Sequence, residues 1–554
     1  MGPIRRIVYP LLALLLAACS GTAVSPGLPR PEITTFPTTT IPPTTTTTID
    51  PAIVLSTQCP TSFCLVYEIS PDASWSDGSP VTADDFVHTF DTFREEGSEP
   101  GYQLVSRIDV IDEKHLRIVF GEPFGGWQQL FGRLIPASGD GLEIRTMLNT
   151  GAFEMVEWSP GERIVLNRHP EWWAGSDPLS DEPGGTISRI TFLFMNDPAE
   201  MTAALDDGTV DVISTRADVE MMEALRGMEN VEYRLSPGPY WEHIDFHHQD
   251  TLLRERWLRQ AIVSAIDREK LLDQSVRLID PGASGLDNTI WMSGTEWYEP
   301  HYQSEFDPEA AEALLVEHSC SRGEDGIYAC AGRRLSFAWA STSDDPMRQA
   351  IFESVRDNLE AIGIELTAEF RTPSAFVNRG FLFGGPNVWQ MINFSWRAPF
   401  DPLAADDRYF CDDTDLNVNR YCSHDVERLV RSADGIVDPE ERAAVLNQAD
   451  RLYLEDLALI PLYQKPNLLA WRSGIEGPEP NWSTSTDMWN VAAWTGADSI
   501  VVALPSEPSQ LDPLSFSDDS ANMIMAPLLY GAFGMDASQH VVPSLVDSVT
   551  VLDG

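Results

Sequence analysis

The stretch from Tyr67 to Phe93 constrains the chain more than any other, because it encodes a strand, a tight turn and a helix start in one short run. Tyr67 and Ile69 alternate with polar residues as a half-buried strand does, and Ser76-Asp77-Gly78 supplies turn chemistry with a residue that tolerates positive φ. The strand is therefore expected to end near Trp75. Thr82 followed by Asp85 approximates a capping box, with Asp84 and Asp85 in the first turn where the helix dipole favours negative charge. Phe86, Phe90 and Phe93 recur at helical spacing, so a helix is predicted to begin at Ala83.

What precedes this segment reads as an address. Residues 1–18 carry Arg5 and Arg6, an apolar run from Ile7 to Leu16 and small residues before Cys19, the pattern of a cleaved signal. The run is too short to span a bilayer. Leu16-Ala17-Ala18-Cys19 resembles a bacterial lipobox, which implies a lipid on Cys19 and anchorage to the outer face of the cell membrane. Residues 19–50 follow as a stalk, since Thr34 to Ile49 is almost entirely Thr and Pro and cannot bury a core. The formal charge of −48, from 85 acidic against 37 basic residues, argues against nucleic acid as a partner. An acidic solvated surface is the plain account of it, with cationic ligands or a salty habitat as the alternatives.

Six cysteines besides Cys19 fall in close pairs: Cys59 with Cys64, Cys320 with Cys330, and Cys411 with Cys422. In an oxidising compartment an even count favours disulfides, and the spacings lack the C-x2-C form of zinc ligands. Three local disulfides are predicted. Ile53 to Leu55 and Leu65 to Ile69 read as a hairpin pinned by the first of them.

Further along, Arg107 to Phe120 alternates as a hairpin, and Gly151 to Trp173 as another through Ser159-Pro-Gly-Glu. Ile187 to Phe194 reads as a strand, Pro198 to Asp206 as a helix, Gly208-Thr-Val-Asp-Val-Ile213 as a short buried strand, and Val231 to Phe246 as strand, turn and strand. Arg254 to Leu272, Asp307 to Leu315, Met347 to Gly363 and Ala444 to Leu457 read as helices, and Ile460-Pro-Leu-Tyr463 as a late strand.

Several of these segments carry a family resemblance. The W-x-D-G-x-P-V-T-A-D-D turn at Trp75, the run Arg259-Gln-Ala-Ile-Val-Ser-Ala-Ile-Asp-Arg-Glu269, Asp307-Pro-Glu-Ala-Ala-Glu-Ala-Leu-Leu315, Ile460-Pro-Leu462 and Asp487-Met-Trp-Asn490 appear in the order found in family 5 extracytoplasmic solute-binding proteins. That family comprises the oligopeptide- and dipeptide-binding components of ABC importers. The resemblance implies a two-lobed α/β fold of the periplasmic-binding-protein type (class II, peptide-binding), hinged, over residues 51–495. It also implies an ABC permease as partner, no cofactor and no enzymatic activity, with the protein acting as a monomer.

One piece is out of place. The family's opening, a strand, an L-D-P turn, a Tyr-rich helix and a strand ending D-G, does not precede Ile53. It resembles residues 496–554 instead, through Ser499 to Pro513, Met523 to Phe533 and Pro543 to Gly554. Either this N-terminal segment is displaced to the C-terminus and completes the first lobe as in a circular permutation, or it begins a second, tandem domain. Ile53 to Leu55 resembles the strand Val549 to Leu552, a redundancy that favours the tandem reading; the apolar edge a lobe would expose without its opening strand favours the other.

Candidate ligand residues cluster in Trp389 to Pro402, which resembles the family's W-x-A-D-Y-x-D-P loop. In peptide binders the Asp of that loop holds the ligand's α-ammonium, and here its position is Pro399. Asp401 is the candidate substitute, unless Asp401-Pro402 only starts a turn, and Arg397 is a candidate for a ligand carboxylate. Trp389, Asn393 and Trp396 in the loop, Tyr240 and Trp241 after Pro237-Gly238-Pro239, and Trp291 complete the set, each aromatic being equally at home in a core. His243, His247 and His248 sit in no metal motif, so no metal is expected. The function expected is capture of a peptide or peptide-like ligand by lobe closure for an ABC permease. A non-peptide ligand (oligosaccharide, metal chelate or opine-like compound), a surface sensor and a secreted hydrolase are the rivals.

Overall fold

Hydrogen bonds around Asp85 explain why the signature segment folds as it does. The carboxylate reaches back to the Thr82 backbone N–H at 2.8 Å, closing the N-terminus of helix Ala83–Glu96, and also accepts from the Trp75 indole at 3.3 Å and the Ala137 N–H at 2.9 Å. Lys114 caps the turn from the other side, donating to Ser70 O at 2.9 Å and Val81 O at 2.8 Å. The computed structural model describes residues 59–553 apart from 97–100, 139–143, 145, 181, 400, 413–415, 482–486 and 515–517. The signal, the stalk, Cys19 and Ile53 to Leu55 lie outside the described residues.

The strand Phe63–Ile69 is shorter than expected, ending at Ile69 rather than near Trp75. Both its edges are occupied: His115–Phe120 pairs on one side and Val546–Asp553 on the other, both antiparallel. The partner on that edge comes from the far end of the chain, and Ile53 to Leu55, the partner expected for a hairpin, lie outside the described residues. With Val105–Val110 these strands form a four-stranded sheet. The three predicted disulfides, Cys59–Cys64, Cys320–Cys330 and Cys411–Cys422, are all present.

A ten-stranded mixed sheet organises the rest, in the spatial order Glu365–Arg371, Ser336–Thr342, Met391–Arg397, Val231–Phe246, Leu459–Arg472, Val212–Arg216, Ser499–Leu504, Arg189–Phe194, Arg163–Arg168, Phe153–Ser159. Two of these strands are far longer than the others, 16 and 14 residues, so at ~3.3 Å per residue each spans roughly 50 Å. Their two halves serve different lobes. The end of the first, Tyr240 to Phe246, pairs with Met391–Arg397 in the second lobe, whereas the end of the second, Asn467 to Trp471, pairs with Val212–Arg216 in the first.

Both long strands break register at the same level. Between the pairs Gln464↔Trp241 and Pro466↔Pro237, the residues Gly238, Pro239 and Tyr240 face Lys465 alone, a bulge whose prolines donate no ladder hydrogen bond. Gly238 is required there, since a Cβ would lie 2.4 Å from the Lys465 carbonyl oxygen. This is the hinge.

Each lobe has its own apolar cores. The second lobe packs helices Arg256–Ala265, Pro308–Glu317, Pro346–Ala361, His424–Ala433 and Pro439–Glu455 around one large cluster. Arg259, which opens the family-like run, is only 1% exposed and donates to the carbonyls of Leu253, Arg254, Asp456 and Leu457, so it ties that helix to the turn before a long strand. The first lobe holds clusters built jointly from the body and from residues 499–546. Ile500, Val502 and Leu504 lie fully buried between two parallel neighbours, and Asp211 of the predicted G-x-x-D strand accepts the Val501 N–H at 2.8 Å. The lobes also touch away from the hinge, where Gly125 N donates to Asp434 O at 2.7 Å and Val437 packs against the first-lobe core.

Candidate functional site

The pleat of the second-lobe sheet sorts the predicted ligand residues onto two faces. Cross-strand pairing sets Tyr240 against Arg397, Trp241 against Trp396 and Glu242 against Ser395, so Tyr240, Glu242, Ser395 and Arg397 share one face while Trp241 and Trp396 share the other.

The face bearing Tyr240 opens toward the first lobe. Arg397 Nε stands 4.0 Å from Asp519 Oδ1, and Asp519 lies in the first turn of helix Asp519–Met525, part of the C-terminal segment. Burial and then the Asp519 charge raise the Tyr240 pKa against the opposing pull of Arg397 and Arg216. The Arg216 guanidinium, from the end of a first-lobe strand, lies 5.2 Å from the Tyr240 ring centroid. Four residues from four separate elements, two from each lobe, thus meet at one point.

Behind them sits a buried ionic knot. Glu242 is fully buried and accepts from Arg348 at 2.7 and 3.0 Å, Lys465 at 2.8 Å, Ser395 at 2.6 Å and Asn393 at 3.0 Å. Burial alone would raise its pKa, but Lys465 and Arg348 outweigh burial and hold the carboxyl well below its usual range. Lys465 also bonds Asp345 at 2.7 Å, and Asp345 caps helix Pro346–Ala361, so the hinge residue opposite the bulge is anchored to the second lobe.

On the other face Trp396 is half-buried, with His243 stacked parallel at 6.1 Å and the Arg408 guanidinium 4.8 Å from its ring centroid. Trp241 is fully buried against the same His243 and Arg408. Trp389 is fully buried too, its indole donating to Leu382 O at 3.2 Å, and Asn393 is consumed by Glu242 and the His243 carbonyl. Asp401 is 7% exposed, caps the helical turn that follows by accepting the Leu403 N–H at 2.8 Å and pairs with Arg442 at 2.7 Å. Trp291 packs on the second-lobe core. Of the eight residues expected from sequence, Tyr240 and Arg397 are brought together at the lobe interface and Trp396 lies beside them on the reverse face. The other five serve packing or pairing within the second lobe.

Asp519, Arg216, Glu242, Arg348 and Lys465 were not anticipated. No local motif marks them, because each matters through a partner dozens to hundreds of residues away. The three histidines do not converge: His243 bonds Asp245, His247 the Gly384 carbonyl and His248 the Ala458 carbonyl, with burial pushing the His248 pKa down to about 3. Among the described residues Cys411, Cys422 and His424 form the one metal-type cluster, and its sulfurs are joined in a disulfide. A cavity of about 1180 Å³ opens in the first lobe beside Trp173, Glu182, Glu479, Trp489 and Asp547, but none of the cleft residues lines it. No helix of the described residues is long and apolar enough to cross a membrane.

Comparison with known proteins agrees with this architecture. The chain is 25% identical over 434 residues to the oligopeptide-binding protein OppA of Mycobacterium tuberculosis, covering 74% of this chain and 71% of that one. To the periplasmic oligopeptide-binding protein OppA of Salmonella typhimurium it is 19% identical over 451 residues, covering 75% and 79%. Among solved structures, the periplasmic EDTA-binding protein EppA superposes with a TM-score of 0.67 at 21% identity, over 78% of this chain and 85% of that one. NikZ from Campylobacter jejuni in complex with Ni(L-His) superposes at 0.63 with 19% identity, over 79% and 89%. Residues 63–404 match the family described as bacterial extracellular solute-binding proteins, family 5 Middle, and this two-lobed chain belongs to that family.

Proposed function

We propose that the protein is an extracytoplasmic, lipid-anchored solute-binding protein that captures a peptide or peptide-like ligand by lobe closure and delivers it to an ABC permease. The observation that carries the reading is the pair of long strands that run through both lobes and break register at a Pro-Gly-Pro bulge, beside a charged cluster supplied from both sides. Closure is a population shift, so a ligand that touches both lobes favours the closed state. The lipid anchor is assigned to Cys19 on its lipobox alone.

Residues 496–554 are part of the same reading: they complete the first lobe rather than opening a tandem domain. What supports this is strand Ser499–Leu504 seated between two first-lobe strands and Val546–Asp553 on the edge of Phe63–Ile69. A non-peptide ligand, such as a metal chelate, is the second reading. It is favoured by Pro399 in the loop position where peptide binders carry an Asp.

Native mass spectrometry of residues 20–554, with and without a mixed peptide pool, tests both points beside a form truncated at Thr495. Discrete mass additions that the truncated form loses support peptide capture and lobe completion. Equal retention by both forms would make the tail the start of another domain, and retention of chelates but not peptides would favour the second reading. A folded protein that retains nothing from peptide, sugar or chelate pools would be a sensor rather than a transport component.

A further inference from the structure

Carboxylates of four separate stretches of chain gather on the first-lobe cavity of about 1180 Å³ that lies apart from the cleft. Asp72 follows strand Phe63–Ile69, Glu182 sits in the turn before strand Arg189–Phe194, Glu476 and Glu479 follow strand Leu459–Arg472, and Asp536 and Asp547 come from the C-terminal segment. No lysine or arginine lines the cavity among the described residues. Little neutralises these acids. Glu182, Glu476 and Glu479 form no ion pair among the described residues. Asp536 meets His540 at 3.5 Å on a half-exposed side chain. Lys114 attracts Asp72 and Asp547, but its ammonium is taken by the Ser70, Ala73 and Val81 carbonyls at 2.9, 3.4 and 2.8 Å. Charges of one sign on low-dielectric walls focus their field into the space between them, so the cavity draws positive charge.

Two further observations point to an occupant. Ser544 lines the cavity and is 6% exposed, yet its hydroxyl has no hydrogen-bond partner, and the Ser180 hydroxyl on the same wall is also unpaired. A buried hydroxyl without a partner is costly unless something in the cavity supplies one. Trp173 is half-buried on the wall with its indole N–H already given to Thr150 O at 2.9 Å, so what it offers is ring surface, which attracts both cations and alkyl chains. The acids do not suit a metal ion, since no three of them converge on one point. They are spread around a space above the ~300–1,000 Å³ of an ordinary small-molecule pocket, which favours an extended cation over a compact one.

We propose that this cavity is a second binding site, separate from the cleft, for an organic polycation whose alkylammonium groups are spaced along an apolar chain. The ammonium groups pair with Glu182, Glu476 and Glu479, the chain lies against Trp173, and the Ser180 and Ser544 hydroxyls accept N–H groups. A free polyamine and the lysine side chains of a peptide both carry this chemistry. The site goes beyond solute capture in the cleft and does not depend on it.

The test is calorimetry of the full chain with spermine and, separately, with tetralysine, folding being checked by thermal melting. The cavity variant is E182Q/E476Q/E479Q. The control, E220Q/E223Q/E229Q, removes the same charge from exposed acids on and after helix Val219–Leu225. The wild type is expected to bind at a single site, more weakly at about 1 M than at about 0.1 M salt. At a few tenths to about 1 kcal/mol for each exposed pair, the cavity variant is expected to lose roughly tenfold in affinity and the control less than about twofold. Either probe behaving so supports the site, and the tighter of the two tells whether a free amine or a peptide supplies the ammonium groups. Equal weakening in both variants would overturn it, because the attraction would then belong to the acidic surface as a whole. Binding of neither probe by the folded wild type overturns it too, as does displacement of spermine by a neutral peptide pool, which would put the polycation in the cleft.

Discussion

Glu242 is the residue on which the second lobe's edge of the cleft depends. Its charge is buried, so truncating a cation that satisfies it leaves an uncompensated carboxylate, and Arg348→Met is expected to destabilise the protein by about 3–5 kcal/mol, measured by denaturant melts at pH 7. The sign with pH follows from its lowered pKa. Stability from Glu242 is full above its unfolded value near 4.5 and is lost as pH falls toward the depressed folded value, so the Arg348→Met deficit should shrink in acid. Asp487 behaves oppositely. Burial raises its pKa to about 6, with the Ser214 hydroxyl and the Asn481 N–H as its donors. Its contribution is full below the unfolded value of 3.8 and is lost as pH rises through about 6, a cost of roughly 3 kcal/mol at neutral pH at ~1.4 kcal/mol per pKa unit. Asp487→Asn should therefore flatten the decline in melting temperature between about pH 4 and 6; an unchanged slope would show that Asp487 is not the group responsible. Neither environment is legible in the sequence, where Glu242 is one polar residue in a strand and Asp487 one letter of a closing motif.

At the scale of elements, the C-terminal segment decides the most. Its strand Ser499–Leu504 places Ile500, Val502, Ala503 and Leu504 in first-lobe cores, and Phe533, Leu545 and Val546 pack around Tyr67 and Phe86. At roughly 1.5–3 kcal/mol per buried large apolar side chain, removing it forfeits more than the ~5–15 kcal/mol net stability of an ordinary domain. Truncation at Thr495 is thus expected to leave the first lobe unfolded while the second retains protected amides, as hydrogen exchange would show. A single uniform protection pattern, equal to that of the full chain, would contradict the assignment. Gly531 reports the same junction more gently, since a Cβ there would fall 2.3 Å from the Gly132 backbone. The elements themselves were largely readable. The helix start at Ala83, the alternating hairpins and the three cysteine pairs are written in local spacing, which is why those predictions needed no tertiary knowledge. The partner of Phe63–Ile69 was not, because strand pairing is satisfied by any edge the fold brings near, and Val546–Asp553 arrives from 480 residues away in sequence, as the Glu68–Ser548 contact records.

At the scale of the molecule, the proposed closure would bend one sheet rather than slide two bodies, because the two long strands run through both lobes. Lys465 ties the bulge to the second lobe through Glu242 and Asp345, so that closure is expected to bend the sheet at Gly238 to Tyr240. Gly238→Ala is expected to cost about 1–3 kcal/mol through its clash with the Lys465 carbonyl and to weaken ligand-induced closure. Small-angle scattering with and without the mixed peptide pool checks this: the wild type should contract on binding and the variant less so. By itself the sequence determined the family, the α/β class and the order of elements, because hydrophobic period, capping residues and turn chemistry act over a few residues. Through motif position it offered eight residues for the cleft, Tyr240 and Arg397 among them. Only the tertiary structure decided that Trp241, Trp389 and Asn393 are interior, that Asp401 is taken by Arg442, and that Asp519 faces Arg397 across the lobes. Burial and charge pairing are properties of what surrounds a side chain, and here the surroundings are assembled from segments hundreds of residues apart.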